Sequence, residues 1–167
     1  TRSSSSAASD VYKRQAQPHI KRLFLEEKEN GITNFRKVVN ISSTSGMFGN
    51  AGQINYATAK AGVVGMAKTM AKEWGRYNVN VNAVGFGLIK TRLTDSDAEK
   101  EESLIDIEGN KIKVGVNSAV FQSAKTMIPL GRPGTPQEAA GAIYMFCIPE
   151  SNYVTGQILM CHGGGFG

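Results

Sequence analysis

Three short apolar runs alternate along the chain with stretches of helical period. Lys37-Val38-Val39-Asn40-Ile41-Ser42 is rich in β-branched residues without alternation, and predicts a strand buried on both faces, as in a parallel sheet. Ahead of it, Gln17 to Asn30 reads as the tail of a helix, with Ile20, Leu23 and Phe24 on one side and Gly31 as its stop. A glycine-rich turn from Gly46 to Gly52 leads into a helix expected from about Gln53 to Trp74. At about 100° per residue, Val63, Ala67, Met70, Ala71 and Trp74 form one apolar stripe on that helix. Val79-Asn80-Val81-Asn82-Ala83-Val84 predicts a second strand, stopped by Gly85-Phe86-Gly87, and Gln157 to Cys161 predicts a third. Thr135-Pro136-Gln137-Glu138 is a capping box with proline at the first helical position, opening a helix through Phe146 that ends before Pro149. Strands alternating with helices give an α/β fold around a parallel sheet. Three strands are few for a doubly wound sheet, so the chain is expected to be part of a longer one.

Two segments have a different texture. Asp95 to Glu108 is acidic and polar, and the alternation from Ile105 to Val114 about Gly109-Asn110 reads as a small hairpin. Residues 94–127 are therefore expected to be an insertion that covers a site like a lid, the alternative being a solvated excursion without a role. Residues 1–15, rich in serine and arginine and without a period, read as a disordered or foreign leader, or as a targeting remnant. The fold argument starts at residue 16.

Composition narrows the function classes. With 41% hydrophobic and 20% charged residues the chain is globular in character, and no apolar run reaches the ~18 residues of a membrane span. The net charge is +5, but residues 1–37 hold eight Lys/Arg against four Asp/Glu, so the excess belongs to the amino-terminal stretch. No basic groove with interleaved aromatics is visible, and neither a nucleic-acid nor a membrane partner is expected. Cys147 and Cys161, with only His19 and His162 beside them, predict no metal site. They read as buried, reduced thiols of an intracellular protein, in the cytoplasm or alternatively the mitochondrial matrix.

The candidate chemistry lies in Ser43, Tyr56 and Lys60: a hydroxyl at a strand end, a phenol thirteen positions on, and an amine four positions later. Residues at i and i+4 share a helix face, so phenol and ammonium lie side by side, on the stripe that carries the apolar core. Burying an unpartnered ammonium is costly, so a ligand, a hydroxyl or a backbone carbonyl must receive Lys60. The alternative is that both side chains snorkel to solvent at the helix start. A free phenol exchanges protons poorly near neutral pH, and an adjacent cation favours its ionised form. Such a trio can hand a proton to a carbonyl oxygen. A second face carries Ala57, Ala61, Gly62 and Gly65, and glycine in a helix calls for a reason. Close approach of another helix from a second subunit is expected, giving a homo-oligomer through helix 53–74, the alternative being a merely weak helix. The glycine groups Gly46/Gly49/Gly52, Gly85/Gly87 and Gly163 to Gly167 lack the spacing of a dinucleotide fingerprint and read as turn chemistry.

Taken together, Asn40-Ile41-Ser42-Ser43, Tyr56-Ala57-Thr58-Ala59-Lys60, Asn80-Val81-Asn82-Ala83-Val84 and Gly85-Phe86-Gly87-Leu88-Ile89-Lys90-Thr91 resemble the second half of the short-chain dehydrogenase/reductase family, notably its 3-oxoacyl-acyl-carrier-protein reductase-like members. The resemblance covers roughly residues 16–167. It implies a Rossmann-type sheet with flanking helices, present as its C-terminal half, and a cofactor of the NAD or NADP kind. It implies that Tyr56 is the proton donor to the carbonyl of a small carbonyl or alcohol substrate, that Lys60 also holds the nicotinamide ribose, and that Ser43 rather than Ser42 binds the carbonyl oxygen. Gly87, Ile89 and Thr91 match positions beside the nicotinamide. Phe86 stands where the family has proline, and the glycine-rich cofactor loop is absent. The expected function is hydride transfer in a 3-oxoacyl-thioester reductase-like oxidoreductase, and the alternative is a catalytically silent oligomerisation module.

Overall fold

The computed structural model describes residues 4–91, 104–107, 110–113, 123–124 and 126–165. Its centre is a three-stranded parallel sheet ordered β1 (Arg36–Ser43), β2 (Val79–Phe86), β5 (Ile158–Cys161). Arg36 pairs with Val79 and Ser43 with Phe86, while Phe86 pairs in turn with Cys161. All three strands therefore end level, and their carboxyl ends form one rim. Parallel strands need crossovers, and these are helical. α1 (Ser4–Glu29) precedes β1, α2 (Thr44–Phe48) and α3 (Ile54–Trp74) connect β1 to β2, and α4 (Pro136–Tyr144) precedes β5. The expected α/β class is what forms.

The two faces of β2 are covered differently. Val79, Val81 and Ala83 meet Ala67, Met70, Ala71 and Trp74 of α3, with Ala16 and Ile20 of α1 packed against them. Val84 points the other way, to Ala142 of α4 and to Phe146. Asn80 and Asn82 share that second face and are buried. Buried amides must be hydrogen-bonded. Asn80 donates to the Asn152 carbonyl (3.0 Å), and Asn82 donates to Val154 and accepts from the Gln157 N–H (both 3.0 Å). The Val-Asn-Val-Asn alternation thus marks a face that holds a loop.

Several expectations are corrected. β1 is only half-buried up to Asn40 and Ile41 is 39% exposed, although burial on both faces was expected. Among the described residues β1 has a paired neighbour on one side only, which leaves its other edge open. β2 runs on through Gly85 and Phe86, because phenylalanine keeps the ladder N–H that a proline would lack. Val64 rather than Val63 is buried on α3, so the core stripe runs 64, 67, 71, 74 and points straight back to Lys60. α4 ends at Tyr144, short of Phe146. Part of the predicted glycine turn is the short helix α2. Residues 4–15, set aside as a leader, continue α1, with Pro18 inside it. The predicted hairpin forms as β3 (Leu104–Ile107) against β4 (Asn110–Lys113). Most of the 94–127 segment, and with it the lid reading, lies outside the described residues. Among the described residues no helix is long and apolar enough to cross a membrane, and no three His, Cys, Asp or Glu side chains gather as a metal site.

Candidate active site

The rim is built where β1 runs out. Ser43 keeps extended backbone (φ −150°, ψ 155°) and caps α2, its Oγ accepting from the Ser45 N–H at 3.2 Å. Ser45 Oγ and Asn50 Nδ2 both donate to Gln53 Oε1 (3.0 Å each), which ties the turn to the start of α3. Gly49 and Gly52 adopt φ of +79°, the left-handed backbone that favours glycine. Gly46 is glycine for another reason. A Cβ there would lie 2.7 Å from the carbonyl carbon and Cβ of Lys60 and 2.8 Å from the Ala61 nitrogen. Backbone touches backbone at Lys60.

Tyr56 and Lys60 stand one helical turn apart, as their spacing predicted. The Lys60 Nζ lies 5.7 Å from the Tyr56 ring centroid, within cation–π range. It donates to the Ile41 carbonyl at 3.0 Å. Of the three receivers the sequence allowed, a backbone carbonyl takes it. Tyr56 is 46% exposed. Ser42, the neighbouring serine, is 2% exposed and its hydroxyl donates to the Lys60 carbonyl at 2.9 Å. Sequence reasoning gave that serine no role, and it read Gly46 as a turn residue. Only the doubled serine at the strand end hinted at the first. Ser43 ends the same strand, but among the described residues no hydrogen bond joins it to Tyr56 or Lys60.

Gly87, Ile89 and Thr91 follow β2 along the rim. The Gly87 N–H donates to the Cys161 carbonyl (3.0 Å), and a Cβ on it would lie 2.7 Å from the His162 Cβ. Ile89 bridges to Gly134, reinforced by the Gly134 N–H to Leu88 and the Lys90 N–H to Gly134 (3.0 and 2.8 Å). Thr91 is exposed at the end of this segment. A cleft of about 140 Å³ opens beside Ile89, with Arg132, Glu138, Cys161 and His162 among its walls. Arg132 grips Glu138 through two hydrogen bonds of 2.6 and 2.8 Å. That guanidinium, helped by the Thr135 N–H and hydroxyl, holds the Glu138 carboxyl down at about 2. Both cysteines were expected to be buried, but Cys147 is exposed and Cys161 only half-buried; that partial burial pushes the Cys161 thiol up. The Thr135–Glu138 capping box forms as predicted.

A family model described as enoyl-(acyl carrier protein) reductase matches residues 23–165. The chain belongs to the short-chain dehydrogenase/reductase family. Among members of that family, it is 42% identical over 127 residues to the 3-oxoacyl-[acyl-carrier-protein] reductase FabG of Thermotoga maritima, covering 76% of this chain and 44% of that one. It is 37% identical over 147 residues to the 3-oxoacyl-[acyl-carrier-protein] reductase of Synechocystis sp., covering 87% and 48%. This short-chain dehydrogenase/reductase chain thus spans less than half the length of either relative. A solved 4-hydroxyisoleucine dehydrogenase complexed with NADH superposes with a TM-score of 0.67 at 22% identity, over 97% of this chain and 56% of that one. That likeness concerns the fold, and it agrees with a Rossmann-type parallel sheet.

Proposed function

We propose that this chain carries the proton-transfer machinery of a nicotinamide-dependent carbonyl reductase or alcohol dehydrogenase, with 3-oxoacyl thioesters as its substrate class. The observation that carries the reading is the pair at the rim: an exposed phenol one turn before an ammonium anchored to the end of β1. In open α/β sheets ligands bind outside the carboxyl ends of the strands, which is where both side chains lie. A lysine ammonium has three N–H donors. Ile41 takes one, so two remain for the neighbouring hydroxyls of a ribose. That donor set fits the nicotinamide-ribose end of NAD or NADP, beside which the resemblance puts Gly87, Ile89 and Thr91. The cofactor, when bound, supplies hydride to the substrate carbonyl carbon.

Tyr56 gives its phenolic proton to the carbonyl oxygen as the C–O bond becomes single, so the proton leaves with the alcohol. The nearby Lys60 ammonium stabilises the phenolate left behind. Ser43 Oγ accepts from the Ser45 N–H, which leaves its own hydrogen to donate to the substrate oxygen as charge develops there. The names of the similar reductases support the substrate class.

Assembly through α3 belongs to the same reading. Ala61, Gly62 and Gly65 are exposed along that helix, and a Cβ on either glycine meets nothing within 4 Å. An assembly module without catalysis would present this face too, and one substitution separates the two readings. The chain is joined to the amino-terminal part of the Thermotoga maritima reductase that it leaves uncovered, and NADH- or NADPH-dependent reduction of acetoacetyl thioester is followed. Turnover is expected, with a fall of about 10²–10⁴-fold in Tyr56→Phe. No turnover, or equal turnover in both forms, sinks the reading.

A further inference from the structure

We propose that Ser42 is a positioning residue for Lys60, fixing where that lysine delivers its ammonium. Its importance rests on the functional reading of Lys60 above, while its geometry stands without it. Two consecutive residues of β1 hold the two ends of one lysine: the Ser42 hydroxyl donates to the Lys60 main-chain carbonyl (2.9 Å), and the Ile41 carbonyl accepts from the Lys60 Nζ (3.0 Å).

A carbonyl oxygen has two lone pairs. The Lys60 carbonyl can therefore accept from Ser42 without giving up its helical partner four residues on. Ser42 is 2% exposed, so water does not replace its hydroxyl. Gly46 closes a third side, with space for no Cβ against the Lys60 backbone. A lysine stem has many rotamers. Once the main chain of Lys60 is pinned to Ser42, few of them reach the Ile41 carbonyl one peptide away, and Nζ is confined beside the Tyr56 ring. Strand side chains alternate in direction, so Ser42 serves α3 while Ser43, facing the other way, caps α2. The doubled serine divides two tasks.

The test is acetylation of the 167-residue chain with limiting N-hydroxysuccinimidyl acetate, with rates read residue by residue by mass spectrometry. Lys68 and Lys72, exposed on the same helix, serve as internal references. In the parent protein Lys60 is expected to react more slowly than either. Ser42→Ala is expected to raise the Lys60 rate between about two- and ten-fold, the range one hydrogen bond sets, with Lys68 and Lys72 unchanged. Ser42→Thr, which keeps the hydroxyl, returns the slow rate. Ser42→Cys, close in size but a weak donor, behaves like the alanine form and guards against a cavity effect. An unchanged Lys60 rate in Ser42→Ala or Ser42→Cys overturns the proposal. So does an equal rise at all three lysines in both variants, which would make Ser42 a general fold residue. A selective rise at Lys60 with unaltered turnover in the fused protein upholds the positioning and sinks the functional reading of Lys60 instead.

Discussion

Two lysines are anchored at β1, and they are used in opposite ways. Lys37, near the start of the strand, donates to Asn80 Oδ1 (3.0 Å) and to Ser151 Oγ (3.1 Å). Ser151 passes its own hydrogen to the Ile148 carbonyl (2.7 Å), and Asn80 donates onward to Asn152. Burial pushes the Lys37 ammonium below the ordinary lysine value. One side chain of β2 and one of the 149–157 connection thus accept from that ammonium, which ties strand to loop. Lys60, at the other end, gives one hydrogen bond to a backbone carbonyl and faces a half-exposed phenol. A lysine whose partners are side chains of the fold is a strut. One held by a single carbonyl beside a half-exposed phenol is, in the function proposed above, set for a ligand.

Tyr56→Phe puts the largest strain on this contrast. In the fused protein turnover is expected to fall about 10²–10⁴-fold, while stability in urea stays within about 0.5 kcal/mol, the range for an exposed side chain. A loss of stability equal to the loss of activity would mean that Tyr56 is structural after all. Gly46→Ala comes next. Its Cβ would strike the Lys60 and Ala61 backbone, which cannot swing aside, so α2 must lift from α3 at a cost of about 1–3 kcal/mol. Urea unfolding measures that cost, and an unchanged midpoint would show that the two helices do not press together at Lys60.

Lys37→Met probes the strut. Asn80 Oδ1 and Ser151 Oγ lose their donor in a part-buried setting, which costs about 1–3 kcal/mol in urea unfolding. Turnover per folded molecule is expected to stay within two-fold of the parent, on the order of the scatter for a site remote from chemistry. Loss of turnover at unchanged stability would erase the distinction between the two lysines.

The contrast also separates what could be read in the chain from what could not. The i, i+4 spacing gave Tyr56 and Lys60 one helix face, and the core stripe of α3 pointed along it. The capping box at Thr135 and the three strands were legible because each is a local pattern. The partner of Lys60 was not, since Ile41 lies nineteen residues away and is met only when α3 folds back on β1. Gly46 looked like a turn glycine because its reason is a contact across two helices. The burial of Asn80 and Asn82 could not be read either, since it depends on a loop that arrives some seventy residues later. β1 was taken as fully buried from composition alone, whereas burial depends on neighbours that composition does not show. Ser43 was singled out as a hydroxyl for substrate, and its bond to Ser45 arises only where the chain bends into α2.

A third polar anchor, on the rim by the cleft, sharpens the comparison with the smallest effect. The Arg132 and Glu138 side chains are 53% and 46% exposed, so solvent and salt screen them more than the part-buried contacts of Lys37. The Glu138 carboxyl titrates at about 2 in the folded chain against an ordinary 4.5. The folded form therefore holds that proton less tightly than the unfolded form. Its contribution to stability is complete above about pH 4.5 and is lost as the pH falls from there towards about 2. Glu138→Gln is expected to flatten that stretch of the stability curve, while its amide still accepts from the Thr135 N–H and keeps the helix capped at neutral pH. Thermal melts of both proteins between pH 5 and pH 2, at low salt and at about 1 M salt, measure it. The curves should converge in high salt, because the pair acts through an exposed charge. If they already coincide at low salt, the Arg132 contact adds nothing to stability, and among these anchors only those made inside the fold hold it together.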